Sequence, residues 1–196
     1  MPQSEFRQLL SSEFAPYTTL SGSQLDQLEA HYKILQHWNQ RMNLTRIRRL
    51  QDVVGLHYCE SLFLGTLLPP GNLTIADVGS GPGFPGIPLA VLRPECAVTL
   101  IESHQRKAVF LREASRNLPN VLVVSSRAED VQLRFDWMVS RAVSPDELVG
   151  FKLAPKIALL IGQEDALQLG SSWRITASPW GKGRVAALKF HVEHYS

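Results

Sequence analysis

The residues best suited to chemistry lie between Leu73 and Pro88. A short apolar run, Leu73 to Val78, leads into Gly79, Gly81, Gly83 and Gly86, and Ile87, Leu89, Ala90, Val91 and Leu92 follow. That order predicts a strand, a tight turn and a helix start. Glycine suits a loop whose backbone must approach a ligand, because no Cβ intrudes and positive φ costs little. The N–H groups opening the next helix are expected to offer donors to whatever sits in the turn. Gly81-Pro82-Gly83-Phe84-Pro85-Gly86 matches the dinucleotide pattern G-x-G-x-x-G, which alone is weak. Two details point away from a dinucleotide. Asp77, two residues before the first glycine, would face the ligand, repel a pyrophosphate and attract a cationic amino-acid group. Pro82 and Pro85 also remove two donors that a phosphate cradle would use. An adenosyl ligand with a methionine tail fits better than NAD.

Further candidates follow at strand ends. Ala97 to Ile101 reads as a buried strand ending at Glu102, placed to accept hydrogen bonds from ribose hydroxyls or, alternatively, to cap the next helix. Val121 to Val124 reads as a third strand, followed by Ser125 to Asp130. That segment either supplies a backbone N–H and an acid to an adenine ring or is a polar turn into a helix. Phe135 to Val139 is a fourth strand leading to Arg141, a cation at the ligand edge of the sheet. Ser144-Pro145-Asp146-Glu147 has the order of a helix start. Lys156 to Ile161, Trp173 to Thr176 and Val185 to Phe190 are expected strands, the last two antiparallel at one edge. No Ser-His-Asp set, phosphate-loop lysine or paired carboxylates occur.

These residues need a frame, and alternating strands and helices from Leu73 onward predict a mostly parallel, doubly wound α/β sheet. Before it, residues 1–71 read as a helical extension, with residues 72–196 forming the ligand-binding domain. Leu25, Leu28, Tyr32, Leu35 and Met42 recur on one helical face, and Ser23 with Asp26 resembles a cap for that helix. Asp52 to Leu68 reads as another helix, stopped by Pro69-Pro70-Gly71. Between them lie Arg41, Arg46, Arg48 and Arg49, four arginines in nine residues, able to grip RNA phosphates or simply to stand in solvent near a helix C-terminus. Arg106 and Lys107, on the polar side of the expected helix from His104 to Asn117, offer the same two readings.

The chain has 196 residues, 44% hydrophobic and 19% charged, with a formal net charge of +2. That composition describes a soluble globular protein with a core of its own and makes no general demand for nucleic acid. Cys59 and Cys96 stand alone, which supports neither a disulfide framework nor zinc. His31, His37 and His57 show no metal spacing, and His191, Glu193 and His194 are not expected to hold a metal. The stretch from Met1 to Arg7 lacks the charged-then-apolar order of a signal, and no apolar run approaches the roughly 18 residues of a membrane span. A cytoplasmic monomer without a membrane partner is expected.

Several stretches resemble the bacterial 16S rRNA guanine-N7 methyltransferase family (RsmG, formerly GidB). They are Asn43-Leu44-Thr45-Arg46-Ile47, the segment from Asp77 to Ala90, Glu102-Ser103 with Arg106-Lys107 and Phe110-Leu111, and Ser140-Arg141-Ala142. The resemblance implies a class I S-adenosylmethionine-dependent methyltransferase fold, a Rossmann-like, mostly parallel sheet with an N-terminal helical extension. It implies S-adenosylmethionine as cofactor and a guanine in a loop of small-subunit rRNA, naked or in the ribosomal subunit, as acceptor. By position it marks Gly79, Phe84, Ala128, Glu129 and Arg141 as cofactor contacts, alongside Asp77, Gly81, Gly83, Glu102 and Ser103. Guanine N7 has a lone pair and no proton, so no dedicated catalytic residue is expected beyond alignment, with Arg141 orienting base or cofactor. RNA contacts fall to Arg41, Arg46, Arg48, Arg49, Arg106 and Lys107. The chain departs from the family at Leu160-Ile161-Gly162, where relatives carry Leu-Lys-Gly, and in a shortened segment after Arg141. The alternatives are a small-molecule methyltransferase, a non-catalytic RNA-binding relative and an NAD-dependent oxidoreductase, for which too little chain remains after residue 145.

Overall fold

The computed structural model describes residues 3–141 and 143–191. Ala142, Glu193 and His194, singled out above, lie outside the described residues.

Seven strands form one sheet: β1 (Thr74–Val78), β2 (Ala97–Ile101), β3 (Val121–Val124), β4 (Trp137–Ser140), β5 (Ile157–Gly162), β6 (Trp173–Ala177) and β7 (Arg184–Lys189). Their order is β3-β2-β1-β4-β5-β7-β6. β1 to β5 run parallel, β7 pairs antiparallel with β5, and β6 pairs antiparallel with β7 at the edge. The chain steps outward from β1 to β2 and β3 and then returns to β4 on the other side of β1. That reversal opens a crevice at the carboxyl ends of β1 and β4, where ligands bind in open α/β sheets.

Strand periodicity divides the core. Ile75, Val98, Leu100, Trp137, Val139, Ala158 and Leu160 face one side, together with Phe6, Leu10, Phe14, Leu28 and Leu35 from the N-terminal helices. Ala76, Val78, Ile101, Met138, Leu159 and Ile161 face the other, against Leu148 and Ala154. The N-terminal helices α1 (Glu5–Phe14) and α2 (Gly22–Met42) therefore share one continuous core with the sheet.

α2 starts earlier than the Ser23–Asp26 pair suggests. Ser21 is the cap: its hydroxyl accepts the Gln24 N–H at 3.2 Å, and the Gln24 carboxamide accepts the Ser21 N–H at 2.9 Å. Ser23 is already inside the helix, so the glutamine takes the reciprocal role in the capping box. α2 ends at Asn43, whose φ of 48° puts it in the left-handed region that asparagine tolerates. A helical run follows as α3 (Leu50–Val53), a π-helical turn (Val54–Cys59) and α4 (Glu60–Leu67). Then come α5 (Gly86–Leu92), α6 (Gln105–Ala114), α7 (Pro145–Phe151) and α8 (Gln163–Ala166). Among the described residues no helix is long and apolar enough to cross a membrane, and no cluster of His, Cys, Asp or Glu could hold a metal ion.

Candidate functional site

The glycine loop leaves β1 at Gly79, which has a φ of +71°. A Cβ there would sit 3.1 Å from Val143 Cγ2 and narrow the crevice in front of the loop. Loop N–H groups are largely consumed within the protein. Gly79 and Ser80 donate to the Ile101 carbonyl at 3.0 and 3.2 Å, and Gly83 donates to the Ser80 carbonyl at 2.7 Å. Gly81 N–H donates to Glu102 Oε2 at 2.9 Å and Gly86 N–H to Asp77 Oδ2 at 3.0 Å. A phosphate would find few donors here. The expectation that the opening N–H groups of the next helix face a ligand is therefore corrected: Asp77 and the carbonyls of Gly83 and Pro85 take them.

Asp77 differs from its expected placement as well. Its carboxylate is completely buried beneath the loop instead of facing the crevice. Burial pushes its pKa up to about 7, against the pull of the Gly86 N–H, and Oδ1 has no hydrogen-bond partner among the described residues. Gly86 must be glycine, since a Cβ would lie 2.3 Å from Leu100 Cδ2 and 2.5 Å from Asp77 Oδ2. Glu102 is also buried, and both its oxygens accept backbone N–H groups, Oε2 from Gly81 and Oε1 from His104 at 2.8 Å. It ties the loop to the start of α6, so it meets the capping alternative and braces the loop together. Each oxygen retains a second lone pair for a ligand hydroxyl.

Gly79, Ser103, Ala128 and Glu129 come together around a crevice of about 290 Å³, with Val78 and Ile101 at its floor. Ala128–Asp130 forms one 3₁₀ turn, so the segment after β3 is a turn that also lines the crevice. Phe84 does not join them. Its buried ring points into the helical layer and stacks on His57, with centroids 4.6 Å apart and planes 15° from parallel. Gly83 likewise packs toward Ile87 and His31, so these two residues shape the loop from behind. His31 braces it too: its Nε2–H donates to the Pro82 carbonyl at 3.0 Å, which leaves Nδ1 to accept from the Tyr58 hydroxyl at 2.8 Å.

Arg141 also lies apart from the crevice, in a second cavity beyond Val143. Its guanidinium is largely occupied: Nη1 donates to His57 Nδ1 at 2.6 Å, and Nη2 lies 3.7 Å from Glu60 Oε2. Arg184 reaches the same fully buried Glu60, at 3.1 Å to Oε1 and 3.3 Å to Oε2. Because arginine only donates, His57 Nδ1 must accept, and Nε2 then carries the proton and donates to Thr45 Oγ1 at 2.8 Å. Burial, with Arg141 beside it, pushes the His57 pKa down to about 3, so the ring is neutral. Burial lowers Arg141 to about 10, opposed by Glu60, and it stays charged at neutral pH. His57, Glu60 and Arg184 escape a motif search, although a glutamate at the head of Glu60-Ser61-Leu62-Phe63-Leu64 marks a buried charge awaiting cations.

The arginines form an outer surface. Asn39 accepts the Thr45 N–H at 2.9 Å and donates to the Thr45 carbonyl at 3.0 Å, which holds the loop after α2 in shape. Arg46, Arg48 and Arg49 stand exposed on that loop. Arg41 and Arg106 line one groove of about 240 Å³ between α2 and α6, beside Trp38, so two clusters distant in sequence meet. Lys107 is half-buried on the same helix.

Residues 24–157 match the profile of the family described as rRNA small subunit methyltransferase G. The chain belongs to this family. Its relatives include the ribosomal RNA small subunit methyltransferase G of Dichelobacter nodosus, 44% identical over 124 residues, 61% of this chain and 58% of that protein. The match thus spans less than two thirds of that relative's length. The protein of the same name from Xanthomonas campestris pv. campestris (strain B100) is 38% identical over 157 residues, 72% of each chain. Among solved structures, a SAM dependent methyltransferase from Aquifex aeolicus aligns with a TM-score of 0.53 at 17% identity, covering 70% of this chain and 91% of that one. A ribosomal protein L11 methylase from Lactobacillus delbrueckii subsp. bulgaricus aligns with the same TM-score at 13% identity, covering 71% and 78%. The fold of this family member is that of the class I S-adenosylmethionine-dependent methyltransferases.

Proposed function

We propose that the chain transfers a methyl group from S-adenosylmethionine to N7 of a guanine in small-subunit ribosomal RNA. The observation that carries this reading is the crevice at the strand reversal, fronted by a glycine loop whose donors are spent internally. Such a site suits an uncharged adenosyl group better than a pyrophosphate. Membership of the rRNA small subunit methyltransferase G family supports the rest.

In this reading Gly79, Ser103, Ala128 and Glu129 hold the cofactor, and Glu102 reaches its ribose with the lone pairs the backbone leaves free. Asp77, Gly81, Gly83 and Phe84 act by shaping the loop. The sulfonium supplies an already activated methyl group. The protein's own work is then alignment and exclusion of water, and no general base is required. Arg141 belongs to the acceptor side. Arg41, Arg46, Arg48, Arg49, Arg106 and Lys107 grip RNA backbone by charge. The guanine must be unpaired or splayed out, because the deep major groove of an RNA helix hides N7. The reading includes a monomer working in the cytoplasm.

The test is nucleoside analysis of small-subunit RNA from a strain lacking its resident N7 activity, with and without this chain. Appearance of N7-methylguanine with the chain supports the reading. Its absence, with the chain folded and abundant, refutes it.

A further inference from the structure

The second cavity, about 390 Å³, opens at the carboxyl ends of β4 and β5 and shares the Val143 side chain with the cofactor crevice as a common wall. A volume of that order is typical of small-ligand sites. The cavity lining includes Arg141 and Arg184, whose charges Glu60 only half neutralises. Arg184 commits Nε and Nη2 to Glu60, which leaves Nη1 free of that carboxylate. The same lining includes two exposed carboxylates, Asp146 in the first turn of α7 and Asp165 on α8. Neither makes a hydrogen bond or ion pair to another described residue. Asp165 Oδ2 lies 3.4 Å from where a side chain on Gly162 would begin, so this carboxylate folds over the end of β5.

Guanine carries acceptors at O6 and N7 and donors at N1–H and the 2-amino group. Adenine presents an acceptor at N1 instead. Guanidinium donors suit O6 and acceptor-only carboxylates suit N1–H and the 2-amino group, which leaves N7 free to react, whereas the N1 acceptor of adenine would face a carboxylate. We propose that this cavity is the acceptor-base pocket and that Asp146 and Asp165 make it selective for guanine by accepting from N1–H and the 2-amino group. This rests on the methyltransferase reading above.

The same carboxylates assist the chemistry. In the transfer, the N7 lone pair forms the new N–C bond, the C–S pair leaves with sulfur, and the positive charge passes to the purine. Acids at the purine edge favour that charge as it develops. Their loss therefore lowers kcat as well as guanine affinity.

The test titrates the full chain with GMP, IMP (which lacks the 2-amino group) and AMP, followed by NMR in the presence of S-adenosylhomocysteine. The unmodified chain is expected to prefer GMP over both by about 10- to 100-fold. The isosteric double variant D146N/D165N is expected to lose that preference while keeping S-adenosylhomocysteine affinity. The control E164Q, an exposed acid beside Asp165 that does not line the cavity, keeps both. An unmodified chain without GMP preference, or a double variant that retains it, overturns the proposal. Failure of the methyltransferase reading shows separately, as absence of S-adenosylmethionine binding.

Discussion

His57 Nδ1 lies 2.6 Å from Arg141 Nη1, and that contact fixes where the histidine carries its proton. The arginine-bearing loop after α2, the glycine loop and the end of β4 all meet this one ring, through Thr45, Phe84 and Arg141. It sits in a π-helical turn, a distortion that recurs at functional sites.

The tautomer is directly measurable. Nitrogen NMR should show His57 protonated at Nε2 only and unchanged between about pH 5 and 8, because its pKa lies at about 3. A titration inside that window would contradict the assignment.

Glu60 holds two guanidiniums from a fully buried position. Glu60→Gln leaves both cations uncompensated and should cost about 3–5 kcal/mol, read as a shift in urea midpoint. A shift near zero would mean the pair of arginines finds its partners elsewhere.

Asp77 gives stability a pH slope. Its folded-state pKa, about 7, lies above the ordinary 3.8. Folding therefore favours the protonated acid. The contribution is fully present below about pH 4 and is lost as pH rises through about 7. Its full extent is about 4 kcal/mol. Asp77→Asn, which keeps an acceptor for the Gly86 N–H, should flatten urea stability between pH 4 and 7 relative to the unmodified chain. An unchanged slope would place the titration elsewhere.

Arg46, Arg48 and Arg49 are exposed, and none of them lines the crevice in front of Gly79. Changing all three to alanine should weaken binding of small-subunit RNA and reduce the magnitude of its log–log salt slope by about 2, while S-adenosylmethionine affinity holds. An unaltered slope would make this loop an ordinary solvated surface.

Much of the frame is legible in the residues. The glycine-rich turn after an apolar run marks β1 and the crevice, and alternation along β1, β4 and β5 divides the two faces of the core. Side-chain direction is not legible there. Asp77 and Glu102 sit at the expected strand ends, yet their carboxylates turn to the backbone N–H groups of Gly86, Gly81 and His104, which the turn of the chain leaves without carbonyl partners among the described residues. Phe84 turns inward because α2 and the π-helical turn present His31, His57 and Tyr58 behind the loop, a contact between distant segments. Arg141 finds its partner 81 residues earlier, in Glu60, for the same reason.

The most direct test of the central claim uses the purified chain, S-adenosylmethionine labelled in its methyl group, and small-subunit RNA from a strain lacking the resident activity. The RNA is offered naked and as the assembled subunit. Label recovered as N7-methylguanine in one loop of either substrate is the predicted result. No transfer to either, from a chain that binds S-adenosylmethionine, contradicts ribosomal RNA as acceptor.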